Sequence, residues 1–178
     1  IMGIQDGKKD YKKPVFKKKN GEIVKRSIDD AKKLLIKAGY GNGIDEKTKK
    51  PLILYFEATG AGADTYAFLN WLRKQFKKIN IQLVTRVTDY NRFQEKMING
   101  TGQIFQWGWN ADYPDPENFL FLLYSKNGKV KFGGENASNY ESKAFDKLFK
   151  QMKNMKNSPR RKEIIQDMLE IIQSDSPW

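Results

Sequence analysis

Chemistry-bearing side chains concentrate in one stretch, Gly108-Trp109-Asn110-Ala111-Asp112-Tyr113-Pro114-Asp115-Pro116-Glu117-Asn118-Phe119-Leu120, entered through Ile104-Phe105-Gln106-Trp107. Trp107, Trp109 and Tyr113 offer aromatic walls around the carboxylate of Asp112. A shielded carboxylate holds a cationic group strongly, because charge-assisted hydrogen bonds are shorter and stronger than neutral ones. The aromatic faces add a cation–π attraction of about 0.5–2 kcal/mol. From the residues alone, Asp112 has two readings, contact with a ligand or local capping of the turn. Asp115 reads as the cap of the helix that follows. Strand alternation puts Trp107 and Trp109 on one side, with Trp107 read as core and Trp109 as the pocket wall. Asp112 and Asp115 are also the residue types of a glycosidase carboxylate pair, although turn chemistry explains both.

Composition narrows the classes. The chain has no histidine and no cysteine, which excludes a Ser-His-Asp or Cys-His nucleophile within it and any thiolate chemistry. No metal site and no cofactor are expected. The net charge of +12 suits an anionic partner such as nucleic acid or a membrane surface, but a solvated lysine-rich surface is the favoured reading. Lysine greatly outnumbers arginine and is spread along the chain, and there is no arginine-rich helix or aromatic RNA motif, so nucleic acid is the secondary reading. With 39% hydrophobic residues the chain builds a core. No apolar run approaches the roughly 18 residues that a membrane span requires. The chain opens Ile1-Met2-Gly3 and closes Ser176-Pro177-Trp178, and it reads as a piece of a longer protein.

The elements that must position the stretch follow from pattern. Residues 1–26 form a lysine-rich arm in which Tyr11, Val15, Phe16, Ile23 and Val24 make short strands around an Asn20-Gly21 turn. Ser27 and Asp30 form a capping box for a helix with Ile28, Ala31, Leu34, Leu35 and Ala38 on one face, ended by Gly39. The continuous run Leu52–Phe56 suggests a strand covered on both faces. Thr59 to Asp64 is read as an ordinary strand-to-helix turn, with anion binding as the weaker alternative. Leu69, Leu72, Phe76 and Ile79 mark a helix over 64–79, with Phe68 and Trp71 widening its core face. A strand over 81–88, a helix over 90–99 capped by Asp89, and a strand from Gln103 to Trp109 complete a β-α-β-α-β series, whose natural solution is a parallel sheet. Pro114 and Pro116 stop the last strand and lead into a helix over Phe119–Tyr124. Two further helices, 142–155 and 158–174, pack around the sheet, the second opened by Ser158-Pro159.

The stretch W-x-A-D-Y-x-D-P-x-N-F-L, from Trp109 to Leu120, resembles the signature of the extracellular peptide-binding proteins of ABC transporters, the oligopeptide/dipeptide-binding family. Ala31 to Tyr40 is similar to that family's A-x-x-L-L-x-x-A-G-Y helix. Gly134 to Leu148, and Arg160 to Trp178, resemble later segments in the same order, so the likeness covers about residues 27–178. The resemblance implies a type II periplasmic-binding-protein-like fold, here one three-layer α/β lobe over 27–178 with a short, mainly parallel sheet, from a protein whose first lobe is missing. It implies that Asp112 pairs with the α-amino group of a bound peptide, with Trp109, Tyr113, Asn110 and Trp107 as the other ligand-binding candidates. It further implies capture of a peptide or small solute for an ABC importer's membrane subunits, no catalysis, no nucleic-acid partner, and a periplasmic or extracellular location at the bacterial envelope. Groups that fix a peptide's carboxylate in the family match no position here, and relatives bind nickel complexes or sugars, so the ligand class stays open.

Overall fold

The computed structural model describes residues 15–60 and 62–178. Tyr11, Ala61 and most of the lysine-rich arm lie outside the described residues. An N-terminal hairpin pairs β1 (Phe16–Lys19) with β2 (Glu22–Lys25). Asn20 and Gly21 turn it with φ of 50° and 86°, the positive values that a two-residue hairpin loop requires.

The remainder divides into two compact units. One is Lys25–Trp107; the other is Gly108–Trp178 with the described residues up to Val24. The first unit starts with α1 (Ile28–Lys37). Its capping box forms as expected: Ser27 Oγ accepts from the Asp30 amide, and the Asp30 carboxylate accepts from the Ser27 amide. The expected core face of α1 is not buried, and Leu34 and Ile28 stand exposed.

β3 (Ile53–Thr59), α2 (Ala63–Lys77), β4 (Gln82–Thr88), α3 (Tyr90–Ile98) and β5 (Ile104–Phe105) then alternate, and the sheet has the order β4-β3-β5, parallel throughout. Strand alternation gives the two faces of β3 to different helices. Phe56 and Ala58 pack with Leu83 against Leu69, Leu72 and Phe76 of α2. Glu57, 1% exposed, faces the other way and is held by Lys96 of α3 and by Arg86 of β4 at 3.4 Å. The Arg86 guanidinium in turn lies 3.9 Å over the Tyr55 ring.

Three expectations are corrected in this unit. The α1 stripe is one. The third strand is only Ile104–Phe105, not Gln103 to Trp109. The chain leaves the ladder there, and Trp107 packs edge-on against Phe93 of α3 at 5.4 Å; an apolar aromatic run signals burial, which packing satisfies as well as pairing does. Phe68 and Trp71 are not core, being 41% and 55% exposed. Each sits one position, or about 100°, before Leu69 and Leu72, so they flank the buried stripe and stack on each other at 6.2 Å.

From Gly108 onward the second unit is helical. α4 (Glu117–Leu120) runs into a 3₁₀ turn at Phe121–Leu123, and α5 (Lys129–Phe132), α6 (Lys143–Met152) and α7 (Pro159–Asp175) follow. The helix expected over Phe119–Tyr124 therefore starts earlier and tightens at its end. α6 and α7 bury Phe145, Phe149, Met152, Ile164, Ile165 and Met168 with Leu120, Leu123 and Tyr124 in a core of their own. Ser158 caps α7 as expected, accepting from the Arg161 amide, with Pro159 at the first helical position.

Candidate functional site

Asn110 to Glu117 cannot continue a strand or a helix through Pro114 and Pro116, so side chains satisfy much of its backbone. Asn118 is central to this. It is 2% exposed, on the first turn of α4, and its Oδ1 accepts both the Asp112 amide and the Trp109 indole N–H at 3.0 Å each. Its Nδ2 donates to Asp112 Oδ2 at 3.4 Å. One side chain thus orients the backbone and carboxylate of Asp112 and the ring of Trp109. Trp109 is half-buried and meets Phe121 edge-on at 5.3 Å. Asp112 is exposed, and among the described residues its Oδ1 has no hydrogen-bond partner.

A second contact network anchors the turn from behind. Asp115 Oδ1 accepts the Glu117 amide at 2.8 Å, but the N-cap position expected for Asp115 falls to Pro116, and Asp115 stands one residue before it. Both Asp115 oxygens also receive the buried Arg161 guanidinium of α7, at 2.7 and 2.9 Å. Arg161 completes its set with the Met152 backbone carbonyl at 3.3 Å and the Asn157 side-chain Oδ1 at 2.9 Å. Foremost through the Arg161 hydrogen bonds, and also through the Glu117 amide, Asp115 is held below the usual carboxylate range, against the opposing effect of burial. An aspartate so committed is a structural anchor of the turn.

Tyr113 is exposed, and its hydroxyl donates to the Glu117 carboxylate. That bond favours the protonated phenol and raises its pKa above the ordinary value. Asn110 is exposed between Trp109 and Asp112. Asp112, Trp109, Asn110 and Tyr113 thus belong to one turn, with Asp112 and Trp109 joined through Asn118. Trp107 belongs to the other unit, half-buried against Phe93. Asn118 and Arg161 had no role in the sequence reading. The available signal was an asparagine next to the apolar Phe119-Leu120, two residues after Pro116. Among the described residues no cluster of His, Cys, Asp and Glu is arranged to hold a metal ion.

The chain as a whole is similar to known proteins. Residues 3–131 match the family described as bacterial extracellular solute-binding proteins, family 5 Middle. The chain is 25% identical over 151 residues to heme-binding protein A of Haemophilus influenzae, covering 84% of this chain and 26% of that protein. It is 26% identical over 148 residues to the oligopeptide-binding protein OppA of Bacillus subtilis, covering 83% and 26%. The solved structure of the ABC transporter-associated periplasmic binding protein DppA from Helicobacter pylori, in complex with the peptide STSA, superposes with a TM-score of 0.72 and 27% identity, over 92% of this chain and 30% of that one. The chain therefore spans about a quarter of the length of the curated relatives it matches. The likeness bears out an α/β fold of the type II periplasmic-binding-protein class, with its parallel three-stranded sheet flanked by helices.

Proposed function

Because the chain belongs to the bacterial extracellular solute-binding proteins of family 5, we propose that it is part of a substrate-binding component of an ABC importer. Its role is capture, without catalysis, of a peptide or a related small solute for delivery to the transporter's membrane subunits. The remaining length of such a protein supplies the rest of the binding cleft. The protein works outside the cytoplasmic membrane, in the periplasm or at the outer face of the cell.

The observation that carries the ligand reading is the Asp112 carboxylate. It is exposed, one oxygen is oriented by Asn118, and the other is open. In this reading Asp112 accepts the ligand's α-ammonium group, with Trp109 beside it and Asn110 and Tyr113 at the rim. An ammonium drawn into a partly dry site needs a counter-charge, and truncating one side of such a pair costs about 2–5 kcal/mol in binding.

Calorimetry with trialanine and N-acetyl-trialanine tests this in the intact protein. Acetylation is expected to weaken binding to the natural protein by that amount, and to matter much less to Asp112→Asn, because both changes remove the same interaction. Equal binding of the two peptides by the natural protein would show that Asp112 is not an amine site. Mass spectrometry of material co-purified with the intact protein identifies the natural solute.

A further inference from the structure

We infer that Asn118 is the positioning residue of the ligand site, and that its acceptor oxygen, rather than its amide donor, does the positioning. The inference deepens the reading of Asp112 as an amine site and rests on it for its binding consequence, though not for its geometry.

The argument starts from the turn's shortage of regular hydrogen bonds. Pro114 and Pro116 supply no N–H, and the segment before α4 belongs to no ladder. An exposed aspartate on such a segment samples many rotamers and backbone states. A ligand that needs one of them loses affinity in proportion to its population. Asn118 removes that freedom. Its Oδ1 takes two donors at equal, short distance, from the Asp112 backbone and from the Trp109 ring. The two groups proposed to meet the ligand are thereby fixed to one atom. The Nδ2 contact to Asp112 Oδ2 is longer, at 3.4 Å, and contributes less.

Asn118 is itself immobilised. It is buried, its amide donates to the Asp115 carbonyl at 3.0 Å, and Asp115 is clamped by Arg161. A chain of contacts thus runs from α7 through Asp115 and Asn118 to Asp112. Asn118 Oδ1 is occupied by its two donors, and Asp112 Oδ1 keeps no hydrogen-bond partner among the described residues.

The test uses the intact protein labelled with ¹⁵N-tryptophan, with Trp109→Phe to assign the Trp109 indole resonance. Two substitutions separate acceptor from donor. Asn118→Leu removes both, while Asn118→Asp keeps the acceptor and loses the donor. In Asn118→Leu the Trp109 indole N–H resonance is expected to move to the position of a non-bonded indole. The preference for trialanine over N-acetyl-trialanine is expected to fall about tenfold, the scale of one lost positioning hydrogen bond. Asn118→Asp is expected to restore the bonded indole resonance; its added negative charge beside Asp112 bears on the preference by itself, so this variant is read by the indole resonance alone. A purely structural role would lower the thermal midpoint and weaken both peptides alike, leaving the preference intact; that outcome overturns the inference. So does an Asn118→Leu protein whose Trp109 resonance does not move, or an Asn118→Asp protein whose indole resonance stays at the non-bonded position. Failure of the amine reading shows itself separately, as a natural protein with no preference between the two peptides. The indole resonances of the two variants then decide the positioning role alone.

Discussion

At the scale of single residues, the strongest electrostatic contact in the candidate site is the Arg161–Asp115 pair. Arg161 is almost fully buried, whereas the Asp115 side chain is 31% exposed. Breaking a fully buried pair costs about 3–5 kcal/mol, and the exposure here brings the expected loss for Asp115→Ala to about 2–3 kcal/mol. The pH dependence has a definite sign. The Asp115 carboxyl is depressed below its ordinary value of 3.8 in the folded protein. Its contribution is therefore complete above the unfolded value and is lost as the pH falls through the folded one. Urea unfolding of the natural protein and Asp115→Asn should show a stability gap that is constant from neutral pH down to about 5, narrows below about 4, and closes further into acid. A gap that persists unchanged at pH 2 would mean that the pair's charge is not what stabilises the turn.

At the scale of elements, the approach of α1's end to the α2–β4 loop depends on one glycine. Gly43 has φ of 73°, and a Cβ there would stand 1.8 Å from the Asn80 carbonyl oxygen. Gly21, in the hairpin turn, has φ of 86° but nothing within 4 Å of such a Cβ. Urea denaturation should therefore separate two costs. Gly21→Ala is expected to lose about 1 kcal/mol from backbone strain alone, and Gly43→Ala more than about 2 kcal/mol from strain plus a clash with backbone. Features of this local kind are the ones that sequence reveals. Ser27 with Asp30, Asp89, and Ser158 with Pro159 cap their helices as read, because a cap and its partners lie within three residues. The β-α-β-α-β series was legible from apolar period. What failed was decided by partners far along the chain. The aromatic run Phe105 to Trp109 looks the same whether it pairs or packs, and Phe93 of α3 decides. Asn118, Arg161 and Glu57 are polar residues whose burial depends on who meets them, which period and propensity do not encode.

At the scale of the whole molecule, the turn carrying Asp112 offers one wall. Solutes are held in clefts that cover most of their surface, and losing a wall removes contacts while the entropic costs of association remain. Residues 1–178 on their own are therefore expected to bind trialanine at least about a hundredfold more weakly than an intact protein of the length of its relatives. Calorimetric titration of both proteins with the same peptide checks this. Micromolar binding by the shorter chain would place the complete site within it.

Glu57 adds a consequence of another kind. A one-residue slip of β3 against its neighbours would turn this carboxylate from Lys96 and Arg86 toward the apolar side chains of α2. An unpaired buried charge costs far more than a shifted ladder of hydrogen bonds gains. The carboxylate therefore singles out one alignment of the central strand once α2 and α3 cover the sheet, because only that alignment brings it to Lys96 and Arg86.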